Sequence, residues 1–289
     1  MPPAVPSTSV QRTYRYLRIA IAGTVVVIFV SVGLAATSVG WLTSVSDYFY
    51  TPARNAFVGA LIAAAMALVA LSGRGAERAL LDAAALFAPL IALVPTTLAP
   101  GSVPGVAVPC PHRCFPPEFE ADAANGVATY LVVGLLTILV GALLASLRQL
   151  SLDLVGFSLV SGAAVLVGVG ATWLFARDAF LAQGHFAATI AFFALFATVA
   201  VLAAFPRRGA PPATVFRILY VAIAVGLVGV LVVYIVLLPQ ADTTGVPVVL
   251  LAEAAALVLF FAFWVVQGIE KWHEADPSIV AARPDDAAT

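Results

Sequence analysis

Eight long apolar segments determine what this chain can fold into. They cover residues 19–38, 55–72, 79–98, 126–147, 154–175, 186–205, 216–238 and 247–268. A helix rises about 1.5 Å per residue, so each segment is roughly long enough to cross a hydrocarbon core of about 30 Å. Only a helix satisfies the backbone polar groups of such a continuous segment within lipid. The pattern predicts an all-α integral membrane bundle of about eight transmembrane helices, forming a single polytopic domain over residues 1–289.

Charged residues are too few to cover a soluble protein of this length. They make up 10% of the chain, against 62% for hydrophobic residues, whereas soluble domains carry about 25% charged residues. The lipid bilayer is therefore the predicted main partner. The net charge is -1, and no basic run with interleaved aromatics is present. The sequence thus gives no indication of nucleic-acid binding.

The basic residues indicate the orientation of the bundle. When the N-terminus is placed in the cytoplasm and eight helices alternate, eleven Lys and Arg residues face inward and three face outward. The outward three are Arg54, Arg113 and Arg177. An excess of basic residues in cytoplasmic loops is the positive-inside rule. We predict a protein of the cytoplasmic membrane with both termini inside, short cytoplasmic tails at 1–17 and 270–289, and an outer loop at 99–125.

The first apolar segment also has features of a secretory signal. Three arginines precede the stretch from Ile19 to Ala36. That stretch is about 18 residues long, whereas the apolar region of a signal peptide has about 7–15. We interpret it as a retained first helix. Cleavage at Ala35-Ala36 is the alternative.

Acidic residues inside the predicted helices are candidates for function, because an ionised carboxylate at the bilayer centre costs at least about 2.5 kcal/mol. Glu253, about two turns into the eighth helix, is the deepest acid. It has two interpretations, a structural hydrogen bond or a ligand or proton site. Asp82 lies near the start of the third helix, where the helix dipole favours a carboxylate.

The first outer loop, residues 44–55, is rich in hydrogen-bonding groups. Together with His185 at the mouth of the sixth helix, it predicts a polar vestibule facing outward. The alternative is an interfacial loop with tyrosines among the lipid headgroups. Glu253 needs a cation or a proton, and Arg54 or His185 is the predicted cation, with Arg177 as a competitor. The candidate binding residues are Asp47, Tyr48, Tyr50, Arg54, His185 and Glu253.

The two cysteines lie in the predicted outer loop, in the run Cys110-Pro111-His112-Arg113-Cys114. Oxidation is permitted on that side of the membrane, so a small disulfide-closed loop is the leading interpretation. A Cys/His metal site usually needs a fourth ligand and is an alternative, as are free thiols. We predict no metal and no cofactor.

The loop also carries a motif. The run from Ser44 to Gly59 fits S-x-S-x-Y-[YF]-x-T-x-x-R-x-x-F-V-G, and an Ala-rich helix follows it. Two further features are A-L-x-P-T at 92–96 and a later helix that opens with His185 before Phe192-Phe193. Together these resemble a family of uncharacterised bacterial multi-pass membrane proteins of the domain-of-unknown-function kind. The chain departs from the pattern at Asn55, where Asp is common, and in its long 100–124 loop. The resemblance implies topology and no particular activity.

Common catalytic motifs are missing from the sequence. There is no G-x-x-x-x-G-K-[ST], no H-E-x-x-H and no G-x-S-x-G. The leading functional prediction is a binding, scaffold or small-solute-handling protein with an outward-facing polar site for a lipid headgroup or small polar solute. The alternative is a membrane-embedded enzyme acting on lipid, with Glu253, His185 and Asp47 as acid–base groups. Oligomeric state is not predicted.

Overall fold

The computed structural model describes residues 9–71, 75–150, 152–206, 211–237 and 247–273. Within these ranges all of the regular secondary structure is helical, which confirms the all-α prediction. The helices are α1 Ser9–Val39, α2 Arg54–Leu71, α3 Gly75–Leu93, α4 Glu120–Ser146, α5 Leu152–Phe175, α6 Arg177–Ala204, α7 Thr214–Leu237 and α8 Val248–Glu270. Two short 3-10 helices, Ser46–Tyr50 and Pro117–Phe119, lie in the connections.

Seven of these helices are long and apolar enough to cross a membrane, and an apolar stretch of α3, Ala79–Leu93, is shorter. Their outward faces are apolar too. On α5, Val160, Leu174 and Phe175 are 71%, 75% and 88% exposed. A water-soluble surface does not carry large apolar patches of this kind. The protein is therefore a multi-pass membrane protein.

Six helices close into a ring in the order α1, α2, α3, α6, α7, α8, with α8 returning to contact α1. α4 and α5 pack against each other outside this ring and reach it mainly through α3. The Ser158 hydroxyl on α5 donates to Asp82 Oδ2 on α3 at 2.6 Å. Asp82 therefore helps to join the outer pair of helices to the ring.

Four predicted boundaries were wrong, and one of them is the start of α6, which lies at Arg177 instead of residue 186. α1 begins at Ser9, so residues 9–17 of the predicted tail are helical. α3 ends at Leu93 instead of residue 98, because Pro95 has no N–H to donate and disfavours helical backbone at Val94. α4 begins at Glu120 instead of residue 126, with Glu120 and Asp122 in its first turn. Carboxylates are favoured there by the helix dipole. They also make the turn polar, so a search for continuous apolar segments does not include it.

The connection between α3 and α4 therefore runs from 94 to 119, where 99–125 was predicted. Residues 1–8 and 274–289 of the predicted tails lie outside the described residues. Residues 40–53 and 94–119 meet at one end of the bundle, which we call the loop end. At the opposite end, the buried Arg18 donates through Nε to Gln267 Oε1 at 3.0 Å, which joins α1 to α8.

Candidate binding site at the loop end

The connection between α1 and α2 folds back into the bundle instead of covering it. α1 ends at Val39, and Gly40 takes a positive φ of 81° that suits a residue without Cβ. The Tyr48 hydroxyl donates to Gly40 O at 3.1 Å and accepts from Leu42 N at 3.2 Å. This brings the 3-10 helix Ser46–Tyr50 back against the ring, and all five of its residues are buried.

Glu253 on α8 is enclosed by this connection. Its Oε2 accepts from Ser44 Oγ at 2.6 Å, from Val45 N at 2.7 Å and from Ser46 N at 3.3 Å. Its Oε1 lies 3.0 Å from Ser46 Oγ. The side chain is only 8% exposed. The carboxyl group is thus held by neutral donors from one short stretch of chain.

His185 on α6 reaches the same serine from the other side of the ring. Its Nε2 lies 2.8 Å from Ser46 Oγ, and its Nδ1 lies 2.8 Å from Val94 O, just beyond the end of α3. A carbonyl oxygen only accepts, so Nδ1 carries a hydrogen. Ser46 therefore joins Glu253 to His185 and links α8, α6 and the end of α3.

Asp47 is fully buried beside this cluster. Its Oδ2 accepts from Thr43 Oγ1 at 2.6 Å, whereas Oδ1 has no hydrogen-bond partner among the described residues. Burial raises the pKa of Asp47 from 3.8 to about 6, against the lowering effects of the Thr43 hydroxyl and the Arg113 charge. This carboxyl group therefore changes charge near neutral pH.

Tyr50 ties the 3-10 helix to the connection that follows α3. Its hydroxyl donates to Thr96 O at 2.6 Å. Burial raises the pKa of Tyr50, so the hydroxyl keeps its proton and stays a donor. Tyr48 acts on the opposite side of the 3-10 helix, where its hydroxyl forms hydrogen bonds with Gly40 O and Leu42 N.

Arg54 does not pair with Glu253 as predicted. It binds Asp122 Oδ2 at 2.7 Å on the surface, and its guanidinium centre lies 4.5 Å from the Phe49 ring centroid. The competitor Arg177 lies 3.7 Å from Glu120 Oε2. Both acids stand in the first turn of α4, which begins earlier than predicted. The early start of α4 therefore explains why both arginines take other partners.

A polar cavity of about 960 Å³ opens at the loop end. Its walls come from the residues that follow α1, the 94–119 connection, α6 and the start of α8. Its polar lining residues are Thr43, Ser44, Thr96, Thr97, His112, Arg113 and Gln183, and Trp41 and Phe186 add aromatic surface. No acidic residue belongs to the part of this wall that the structure describes. The described wall therefore offers several hydrogen-bond donors and one guanidinium, that of Arg113.

The cysteine loop holds the cationic part of this wall. Cys110 and Cys114 lie at disulfide-bonding distance, with Cα atoms 6.3 Å apart. Cys114 pairs with Leu98 through two backbone hydrogen bonds of 2.9 and 3.0 Å. Arg113 Nη2 then donates to Thr97 O at 2.6 Å. No group of three or more His, Cys, Asp or Glu side chains in the described ranges is arranged to hold a metal ion.

A second, much smaller cavity lies deeper in the ring. It has a volume of about 50 Å³, and its polar lining residues are Thr24, Ser46, Thr189 and Glu253. The remaining wall is almost entirely apolar and includes Phe192, Phe193 and Phe260. The Glu253 cluster therefore stands between a polar cavity, which Ser44 lines, and an apolar one.

Sequence reasoning missed Ser44, Ser46 and Arg113 as functional residues. The signals for the two serines were the density of hydroxyl groups before Asp47 and the S-x-S start of the motif. No family model, no curated protein and no solved structure matches this chain. The resemblance to an uncharacterised bacterial family stays a prediction, and function has to be argued from the geometry.

Proposed function

We propose that this multi-pass membrane protein binds a small anionic group in the loop-end cavity. The group is a phosphate or a carboxylate, carried by a lipid headgroup or by a free solute. The observation that carries the proposal is the composition of the wall, in which Arg113 and His112 stand among hydroxyl and amide groups without a described carboxylate. An anion meets the Arg113 guanidinium and neutral donors there, and Asp47, the carboxyl group on which the Arg113 charge also acts, does not line the cavity.

Arg113 is the residue on which we expect affinity to depend most. Its guanidinium is always charged and presents donors in a planar fork that matches carboxylate and phosphate oxygens. The bond to Thr97 O and the neighbouring cysteine loop hold it in place before a ligand arrives. Such preorganisation lowers the entropic cost of binding.

The size of the cavity also supports binding of a small ligand. Ligand pockets typically have volumes of roughly 300–1,000 Å³, and this one has about 960 Å³. Trp41, which is 74% exposed, and Phe186 supply apolar surface beside the polar groups. A headgroup with its glycerol moiety or a free organic anion fits these dimensions.

The arrangement of Ser46 favours binding over acyl transfer. In a serine hydrolase the imidazole stands between the hydroxyl nucleophile and the acid, so that it takes the proton of the hydroxyl. Here the hydroxyl stands between the imidazole of His185 and the carboxyl of Glu253. Ser46 is also only 5% exposed. This order supports a hydrogen-bonded relay.

We further propose that the loop end faces the outside of the cell membrane. The eleven-to-three distribution of basic residues supports this orientation. The cysteine pair supports it too, because disulfides persist in oxidising compartments. The cavity is then open to extracellular solutes and to headgroups of the outer leaflet.

The test is a binding assay on the full chain in lipid nanodiscs. Inorganic phosphate and acetate are titrated into phosphatidylcholine nanodiscs, and phosphatidylglycerol is introduced in a separate series. The readouts are tryptophan fluorescence, since Trp41 lines the cavity, and the thermal unfolding midpoint. A response to free anions identifies a solute site, whereas a response to phosphatidylglycerol alone identifies a headgroup site.

The matched variants are Arg113→Gln in the cavity and Arg12→Gln, an exposed arginine at the opposite end. We expect Arg113→Gln to weaken binding by about tenfold or more, because a hydrogen bond to a charged group contributes about 1.5–3 kcal/mol. Arg12→Gln should bind like the parent chain. Equal binding by all three proteins, or no response to any of the probes, would overturn the proposal.

A further inference from the structure

We infer that Glu253, Ser46 and His185 form a buried proton-binding site that holds one shared proton, and that Ser44 couples this proton to the occupant of the loop-end cavity. The proton site stands on its own geometry. The coupling rests on the proposed function, because it needs a ligand in the cavity.

The hydrogen-bond partners restrict where a proton can sit. Glu253 Oε2 already accepts from Ser44 Oγ, Val45 N and Ser46 N. A proton on the carboxyl group therefore lies on Oε1, the oxygen 3.0 Å from Ser46 Oγ. On the imidazole, Nδ1 already donates to Val94 O, so an added proton lies on Nε2.

Two arrangements with one proton satisfy every contact in this row. In the first, Glu253 Oε1–H donates to Ser46 Oγ, and the Ser46 hydroxyl donates to His185 Nε2. In the second, His185 Nε2–H donates to Ser46 Oγ, and the Ser46 hydroxyl donates to Glu253 Oε1. Moving from one to the other shifts two hydrogens along the row, breaks no heavy-atom contact and leaves the total charge at zero.

Other proton counts leave a contact unmade. Without the proton, Glu253 Oε1 and His185 Nε2 are both acceptors, and Ser46 has one hydrogen for the two of them. With a second proton, both groups donate to Ser46, whose own hydrogen then has no acceptor in this row. An unmade hydrogen bond at a buried polar group costs about 1–3 kcal/mol, more for a charged group. Both counts also leave a net charge in the ring interior.

The surroundings determine the side from which the proton exchanges. On the inner side, the apolar cavity is lined by phenylalanines and offers few polar groups. On the loop-end side, Ser44 contacts Glu253 and lines the polar cavity. Among the described residues, other titratable or charged groups near the cluster are Asp47 and Tyr50 in the 3-10 helix, Arg113 in the loop and Tyr234 on α7. Exchange through the loop end is therefore the more polar route.

Ser44 provides the coupling because one hydroxyl serves two sites. It has a single hydrogen, which it now donates to Glu253 Oε2 at 2.6 Å. An anion that accepts this hydrogen removes one donor from the carboxylate, which favours the arrangement with the proton on Glu253. By linkage, the position of the proton then changes the affinity for the anion by the same factor.

The first experiment counts the proton in the full chain in nanodiscs. Infrared spectroscopy in light and heavy water measures the protonated carboxyl stretch, and Glu253→Gln assigns it. Nitrogen NMR of labelled His185 measures the fraction that is doubly protonated. We expect the two protonated fractions to sum to one across the range from about pH 6 to pH 8, whereas a free histidine titrates near 6.5. A sum near zero or near two overturns the proton site, and carboxyl-labelled glutamate in the parent chain replaces Glu253→Gln if that variant does not fold.

The second experiment adds inorganic phosphate at saturation and follows the same carboxyl band. The band should gain intensity in the parent chain and in Ser38→Ala, a control serine that bonds within α1, and it should stay unchanged in Ser44→Ala. Phosphate that binds without moving the band in the parent chain overturns the coupling and leaves the proposed function standing. If phosphate, acetate and phosphatidylglycerol all fail to bind, both the proposed function and the coupling are wrong. The first experiment still tests the proton site, because it needs no ligand.

Discussion

The Ser44 hydroxyl donates to Glu253 Oε2 at 2.6 Å across 209 positions of the sequence. This contact joins the chain just after the first helix to the last described helix at the loop end. A backbone hydrogen bond joins the same two segments, because Leu250 N donates to Thr43 O at 2.9 Å. The ring of six helices is therefore closed by polar contacts at this end as well as by apolar packing.

Removing Glu253 should destabilise the fold strongly. Glu253→Ala leaves the donors on Ser44, Val45 and Ser46 without their acceptor in a buried place, so we expect a loss of more than about 3 kcal/mol in the free energy of unfolding. Glu253→Gln keeps the volume and one acceptor and should lose less. The measurement is equilibrium unfolding in mixed micelles. Glu118→Ala, at an exposed acid, is the control and should change little.

Tyr50→Phe tests the link between the 3-10 helix and the connection after α3. The change removes the donor to Thr96 O and leaves that carbonyl without this bond. A loss of about 1–2 kcal/mol is expected in unfolding free energy. Tyr16→Phe, on a tyrosine that is 66% exposed, should cost almost nothing. If the two variants are equally stable, the bond does not hold the helix in place.

Asp47 should make the stability of the protein depend on pH. Its pKa is about 6 in the folded protein and 3.8 ordinarily, so the folded state binds the proton more tightly than the unfolded state. The contribution of Asp47 to stability is then fully present below about pH 3.8 and is lost as the pH rises through about 6. The loss is about 3 kcal/mol, since one pKa unit corresponds to about 1.4 kcal/mol.

Asp47→Asn should remove that part of the pH dependence, and Asp178→Asn, at an exposed carboxylate, should keep it. Unfolding curves between about pH 4 and pH 8 provide the measurement. A slope that persists unchanged in Asp47→Asn shows that another group titrates in this range.

The cysteine pair and the orientation are tested together in native membranes. We expect Cys110 and Cys114 to resist alkylation until a reductant is added, as seen by mass spectrometry. Reporters fused at both termini and in the turn near Arg148 should all report cytoplasm. Cysteines that alkylate fully without reductant rule out the bridge, and a C-terminal reporter active only outside rules out the proposed orientation.

The helices were predictable because each is a continuous apolar segment, and hydropathy alone detects such segments. Four helix ends were not predictable in this way, and the end of α3 and the start of α4 show the reason. Val94 and Leu98 are apolar, although Pro95 between them ends the helix. The first turn of α4 is polar and therefore resembles a loop in a hydropathy profile. Hydropathy measures transfer into lipid, whereas these ends depend on backbone hydrogen bonding and on the helix dipole.

The candidate site was predictable only in part. Glu253 and His185 stood out because a buried polar side chain is costly without a partner. Their partner Ser46 did not stand out, since serines are common in loops and the contact depends on tertiary structure. Arg54 was one of two predicted cations for Glu253, beside His185, but it binds Asp122 in the first turn of α4. Long-range pairing is the step that sequence periodicity does not supply.

The central claim is that the loop-end cavity holds an anionic group against Arg113. A cryo-electron microscopy map of the full chain in nanodiscs containing phosphatidylglycerol, with inorganic phosphate in a parallel sample, tests it most directly. We expect phosphate density in the cavity, within hydrogen-bond distance of Arg113, in at least one of the two samples. Maps of both samples in which the cavity is filled by protein side chains, or contains only water beside Arg113, would contradict it.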